Sequence, residues 1–169
     1  MRNGFDVSAI DVDKRSVDKI RDLANTVAPG LPQASFQIAG LDSIPFADEI
    51  FDWVICNTVL HFAEDRDQFD RWVAELWRVL KPGGELAVSD MVFEVPIPEA
   101  LRGDLDSWAG CVAGAWLESD YVEAIRQAGF REVEVAARDY LPITEVLSAS
   151  DIAALQAQAN GHLHGVSLD

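Results

Sequence analysis

At 169 residues, 49% of them hydrophobic, the chain has the size of one domain with a sizeable core. Twenty-nine acids against thirteen lysines and arginines give a formal charge of -16, a field that repels phosphate backbones and makes nucleic acid an unexpected partner. Two cysteines, Cys56 and Cys111, show no metal-ligand or disulfide spacing, which points to a reducing, cytoplasmic setting, and no apolar run reaches the length of a membrane span or a leader.

Phe5 to Ile10 reads as the first strand, followed by Asp11, Val12 and Asp13. Asp13 suits the cap of a helix whose apolar positions Val17, Ile20, Leu23, Ala24 and Val27 share a face, and Pro29, Gly30 and Pro32 end it. An acid at the carboxyl end of a strand in a nucleotide-binding sheet accepts hydrogen bonds from two ribose hydroxyls, because both must donate. Asp11 stands at such a place; its other reading is a turn or capping residue. Ala34 to Ala39 is the next strand, with Gly40, Leu41 and Asp42 after it.

Phe51 to Cys56 is a short apolar run that reads as a strand buried on both faces, and Glu85 to Ser89 reads as another. The helix between them turns Phe69, Trp72, Val73, Leu76 and Val79 or Leu80 inward, with Asp70, Arg71, Glu75 and Arg78 toward water. Pro82, Gly83 and Gly84 stop it. Strand, crossover helix and strand make a right-handed unit with parallel strands, and ligands of such sheets sit beyond the carboxyl ends. Asn57 and Asp90 are the first polar groups there. His61, within VLHF, is either a general base or a satisfied structural histidine.

Beyond Asp90 the chain is punctuated by Pro96 and Pro98, and Leu101, Leu105, Trp108 and Val112 form a stripe with Cys111 at its edge. Trp108 and Trp116 line a pocket or belong to the core. Glu118 to Ala128 reads as a helix with Tyr121, Val122 and Ile125 inward, ended by Gly129. Arg131 to Ala136 reads as a strand, Ser148 with Asp151 as a capping box, and His162 to Leu168 as the start of an antiparallel strand. His162 and His164 have no evident third ligand, so no metal site is expected.

The ordered set IPFADEIFDWVICNTVLHF and ELWRVLKPGGELAVSD resembles the middle of a class I S-adenosylmethionine-dependent methyltransferase. There a Pro-Phe turn precedes Phe-Asp and the fourth strand, and Leu-Lys-Pro-Gly-Gly precedes the fifth. The resemblance implies an α/β fold: an incomplete Rossmann-like sheet, mostly parallel, with helices on both faces, in one domain over 1–169. It also implies S-adenosylmethionine as cofactor, with Asp11 on the ribose, Val12 beside the adenine and Asn57 near the methionyl part. Leu41 packs on the adenine face or, in its other reading, in the core. The likeness runs from the family's second strand to about its seventh, without the first strand, first helix and glycine-rich loop, so weak cofactor binding is expected.

Residues 91–117 match the family's substrate-covering insertion. The run DSWAGCVAGAWLESDYVEAIRQAGF is similar to arsenite methyltransferases, in which a cysteine before small residues binds trivalent arsenic. That assigns Cys111 to a small-molecule substrate, an inert buried thiol being the other reading. The arsenic site of that family uses further cysteines, one upstream and one later; no cysteine follows Cys111, and Cys56 falls at neither matching place. The implied activity is methylation of arsenite or another small molecule; the alternative is an inactive methyltransferase-like fragment, homodimeric or partner-dependent. Without the central strand, Phe5 to Ile10 must shift against Phe51 to Cys56 or offer an edge to a second copy, and a homodimer with an apolar interface is expected.

Overall fold

The computed structural model describes residues 5–94, 96 and 115–140. The chain divides into two compact units, Met1–Ile55 with Asp70–Ala87 and Cys56–Phe69 with Val88–Asp169. The architecture is α/β, built of parallel strand pairs flanked by helices.

In the first unit, β1 (Ala9–Asp11) and β2 (Phe36–Ile38) pair in parallel, with Ala9 opposite Phe36 and Asp11 opposite Ile38. Helix α1 (Lys14–Val27) is their crossover. Asp13 caps it by accepting the Arg15 N–H at 2.9 Å, which satisfies one of the amides a helix start leaves unpaired. Val17, Ala24 and Phe36 form the core here, joined by Ala9, Ile20 and Leu31. The Arg21 guanidinium donates to the Phe36 carbonyl at 2.6 Å and ties helix to strand.

Two longer strands, β3 (Phe51–Asn57) and β4 (Leu80–Ser89), make a second pair, connected by helix α2 (Arg66–Val79). The helix ends before Pro82, where its missing N–H would break the ladder. The two glycines that follow serve different ends. Gly83 takes φ +81°, a left-handed conformation, whereas a Cβ on Gly84 would meet the Lys81 carbonyl at 2.9 Å and the Asp52 carbonyl at 3.1 Å. Arg78 fastens the Pro45–Phe46 turn to α2: it donates to the Ile44 and Phe46 carbonyls, each at 2.9 Å, and to Asp48 and Glu75.

In the second unit, β5 (Val92–Phe93) and β6 (Trp116–Leu117) pair in parallel, and helix α3 (Glu118–Gln127) follows. The Phe69 ring packs against Trp116 at 4.7 Å and edge-on to Tyr121 at 5.0 Å between centroids. Trp116 is half-buried, with one side of its ring on Phe69.

Several expectations need correction. The first strand is confined to Ala9–Asp11, the second to Phe36–Ile38 after a 3-10 turn at Gln33–Ser35, and β4 begins at Leu80. Residues 131–136 form no strand, since among the described residues no ladder partner meets them. Strand β3 is not buried on both faces: Trp53 is 61% and Ile55 77% exposed, because no described layer covers them. Leu23 and Val27, expected on the inner face of α1, are exposed for the same reason. Glu75 and Arg78 do not simply face water but form a partly buried network. The shift of the first strand against β3 is not adopted; among the described residues β1 bonds only to β2. Trp108, Cys111, the Ser148–Asp151 box, His162 and His164 lie outside the described residues, as does most of the 91–117 insertion.

Candidate functional site

In the first unit, the carboxyl ends of β1 and β2 bring together the residues read as a nucleotide rim. Asp11 closes β1, exposed, with Oδ1 accepting the Asp13 N–H at 2.7 Å in a local turn. The Ala39 N–H donates to the Asp11 carbonyl at 3.1 Å, so the parallel ladder extends up to the rim. Val12 is 75% exposed, and its Cγ1 lies 3.4 Å from the Cβ position of Gly40. An exposed carboxylate, an exposed branched apolar side chain and a residue without a side chain thus stand side by side. That set fits an adenosyl group: a carboxylate offers several lone pairs beyond the one used in the turn, and Val12 offers an apolar edge to a flat ring. Leu41 is buried, with 8% exposure, and belongs to the core. Asp42 accepts the Trp72 indole N–H at 2.9 Å.

The second unit holds the other set. Asn57, exposed, ends β3. Thr58 follows with φ 58°, a left-handed backbone that a β-branched residue rarely adopts and that costs on the order of 1–3 kcal/mol. Its N–H is held by the Ser89 carbonyl at 2.7 Å. The sharp turn delivers Leu60–Phe62, a 3-10 turn, directly under Asp90.

There His61 is fully buried, with 0% exposure, and its Nδ1 lies 2.6 Å from Asp90 Oδ1. The Asp90 side chain is 2% exposed. Its Oδ2 accepts two bonds, from the Leu60 N–H at 3.0 Å and from the Tyr121 hydroxyl at 2.6 Å. A carboxylate only accepts, so the imidazole donates from Nδ1, and in the neutral ring the lone pair falls on Nε2. Among the described residues Nε2 is buried and meets no hydrogen-bond partner.

Two neighbours are held in their neutral forms. Burial, then the Asp90 charge, pushes the Cys56 thiol up to about 12, so it is no thiolate ligand at neutral pH. Burial, then the hydrogen bond to Asp90, raises the Tyr121 hydroxyl far above its ordinary range and keeps it a donor. No group of three metal-binding side chains occurs among the described residues.

Of the residues singled out in the sequence, Asp11 and Val12 meet at one rim in the first unit, and Asn57 and His61 lie four residues apart in the second. Sequence reasoning missed the partnership of Asp90 and Tyr121 with His61. Tyr121 was legible only as an inward-facing residue, though a buried tyrosine hydroxyl always needs a partner.

Residues 1–88 match the model of the methyltransferase domain family. An arsenite methyltransferase of Halobacterium salinarum is 34% identical over 134 residues, 79% of this chain and 33% of that protein. The methyltransferase GfsG of Streptomyces halstedii is 31% identical over 150 residues, 86% of this chain and 49% of that protein. The chain thus spans between a third and a half of the length of these relatives. Among solved structures, an arsenic(III) S-adenosylmethionine methyltransferase from Chlamydomonas reinhardtii superimposes with a TM-score of 0.60 at 21% identity, over 91% of this chain and 50% of that one, a likeness of fold.

Proposed function

Because the chain belongs to the methyltransferase domain family, we propose that it binds S-adenosylmethionine and directs its methyl group to a small-molecule acceptor. The observation that carries this reading is the rim of Asp11, Val12 and Gly40 at the carboxyl ends of two parallel strands. Asp11 would accept the ribose hydroxyls, Val12 would border the adenine with Leu41 beneath the rim, and Asn57 would serve the methionyl part. The cofactor supplies an electrophilic methyl; the chain aligns it and shields it from water. Affinity is expected to be weak, since of these groups only Asp11 forms a charge-assisted bond.

His61 is proposed as the base where the acceptor must lose a proton, and Cys111 as a soft ligand where the acceptor is arsenite, the substrate suggested by the Halobacterium relative's name. Equilibrium dialysis with labelled S-adenosylmethionine tests the cofactor reading: binding that is saturable in the wild type and lost in Asp11→Ala supports it, and equal retention in both removes Asp11. If arsenite is bound, it should change tryptophan fluorescence weakly in the wild type and not in Cys111→Ser; an equal response in both removes the cysteine.

A second reading, a non-catalytic homodimeric module, is favoured by the uncovered Trp53 and Ile55 on β3. Sedimentation equilibrium at micromolar concentration tests the dimer, with twice the chain mass in the wild type and a monomer in Trp53→Lys supporting it; calorimetric titration of S-adenosylmethionine separates the two readings, absent binding favouring the module.

A further inference from the structure

Resting on the cofactor reading above, we propose that the Trp72–Asp42 pair selects the base of the bound nucleoside: the Trp72 indole on α2 positions Asp42, whose free oxygen accepts an amino group from a purine lying on Val12 over Gly40.

Gly40 marks the place of closest approach. Its backbone is not left-handed, and a Cβ there would stand 3.4 Å from Val12 Cγ1 and 4.0 Å from Asp42 Oδ2, both ordinary contacts. Neither backbone angle nor packing within the chain therefore calls for glycine. A bare backbone just beyond the carboxyl end of β2 is what the close approach of a flat ligand calls for. The same feature removes any side chain at this position that could tell one ring from another, so selectivity has to come from the neighbours.

Those neighbours differ in kind. Val12 is apolar and exposed, and it offers a ring a surface but no polar edge. Asp42 is exposed as well, yet its carboxylate is restrained: Oδ1 accepts the Trp72 indole N–H at 2.9 Å, and Trp72 is half-buried on α2. An indole donates one hydrogen bond and accepts none, so it fixes one oxygen and leaves the other open. That other oxygen, Oδ2, is the one beside Gly40, and among the described residues it accepts no further bond. Asp11, Val12, Gly40, Asp42 and Trp72 all belong to the first unit, so the arrangement is complete within one compact body. A carboxylate oxygen accepts and never donates; it favours a ring edge that carries an amino group and gains nothing from one without it. The ligand class is a 6-aminopurine nucleoside.

Calorimetric titration of adenosine and of purine riboside, which lacks only the 6-amino group, tests the proposal. Adenosine should bind the wild type about tenfold or more tightly than purine riboside. Asp42→Ala should bring the two close to parity by weakening adenosine alone. Trp72→Phe, which keeps an aromatic ring and removes the N–H, should narrow the preference and leave purine riboside unchanged, whereas a merely structural tryptophan would weaken both ligands alike. Equal affinities in the wild type, a preference that survives Asp42→Ala, or parallel losses of both ligands in either variant overturn the proposal and leave the cofactor reading standing. Absence of binding by both nucleosides sinks the cofactor reading itself, and the proposal with it.

Discussion

Replacing Tyr121 by phenylalanine removes a single oxygen from the second unit and leaves the ring edge-on to Phe69 at 5.0 Å. The hydroxyl lost is a 2.6 Å donor to Asp90 Oδ2, whose side chain is 2% exposed, so water has little room to replace it. Hydrogen bonds to charged groups contribute about 1.5–3 kcal/mol, and the apolar area is nearly unchanged, so the loss should be about 2 kcal/mol. With a urea dependence of about 2 kcal/mol per molar, the unfolding midpoint should fall by about 1 M, followed by tryptophan fluorescence. The variant should differ in pH dependence as well. The folded-state value of Tyr121 is raised, so its contribution is fully present below the ordinary tyrosine range near 10 and is lost as pH climbs above it. A midpoint within about 0.2 M of the wild type would refute the reasoning that Asp90 depends on this donor.

Cys56 makes a second alkaline prediction: with its thiol at about 12 when folded, stability should be level below the unfolded cysteine value and fall above about pH 9, by up to about 1.4 kcal/mol per pH unit, and Cys56→Ala should lose this slope. Arg78→Lys keeps the charge but not the fork that holds Ile44, Phe46, Asp48 and Glu75, and should cost about 1–3 kcal/mol in urea unfolding. The Arg78 guanidinium holds the Glu75 carboxyl below its ordinary range, so stability from this pair is present above that range and lost as pH falls; the lysine variant should flatten that acid limb. The two glycines after Pro82 should separate by mechanism: Gly83→Ala meets open space and costs about 1 kcal/mol of backbone strain, whereas Gly84→Ala drives a methyl into two carbonyls and should cost about 2–3 kcal/mol. Equal losses would show that backbone angle, not space, sets both positions.

The helices were legible because their signals are local. Asp13 caps α1 as its sequence suggests, the stripe of Phe69, Val73, Leu76 and Val79 is buried, and the positive φ of Gly129 stands after α3. The strands were legible as apolar runs but not as faces. Phe51 to Cys56 contains nothing that distinguishes a strand covered on both sides from one with Trp53 and Ile55 exposed, since coverage depends on what packs from elsewhere. The rim at Asp11 could be read because it follows from one strand end and its neighbour. The His61 arrangement could not, because Asp90 lies 29 and Tyr121 60 residues away along the chain, and no periodicity links them. A histidine beside apolar residues has the same appearance whether or not a carboxylate waits in the next strand.

The central claim, that Asp11 receives the ribose of an adenosyl cofactor, is tested most directly by a binding cycle. Adenosine and 2′,3′-dideoxyadenosine are titrated calorimetrically into the wild type and Asp11→Asn. If the carboxylate accepts the ribose hydroxyls, the substitution should weaken adenosine about tenfold or more and leave dideoxyadenosine nearly unchanged, because that ligand has no hydroxyl for the carboxylate to accept. Equal weakening of both ligands, or of neither, would contradict the assignment.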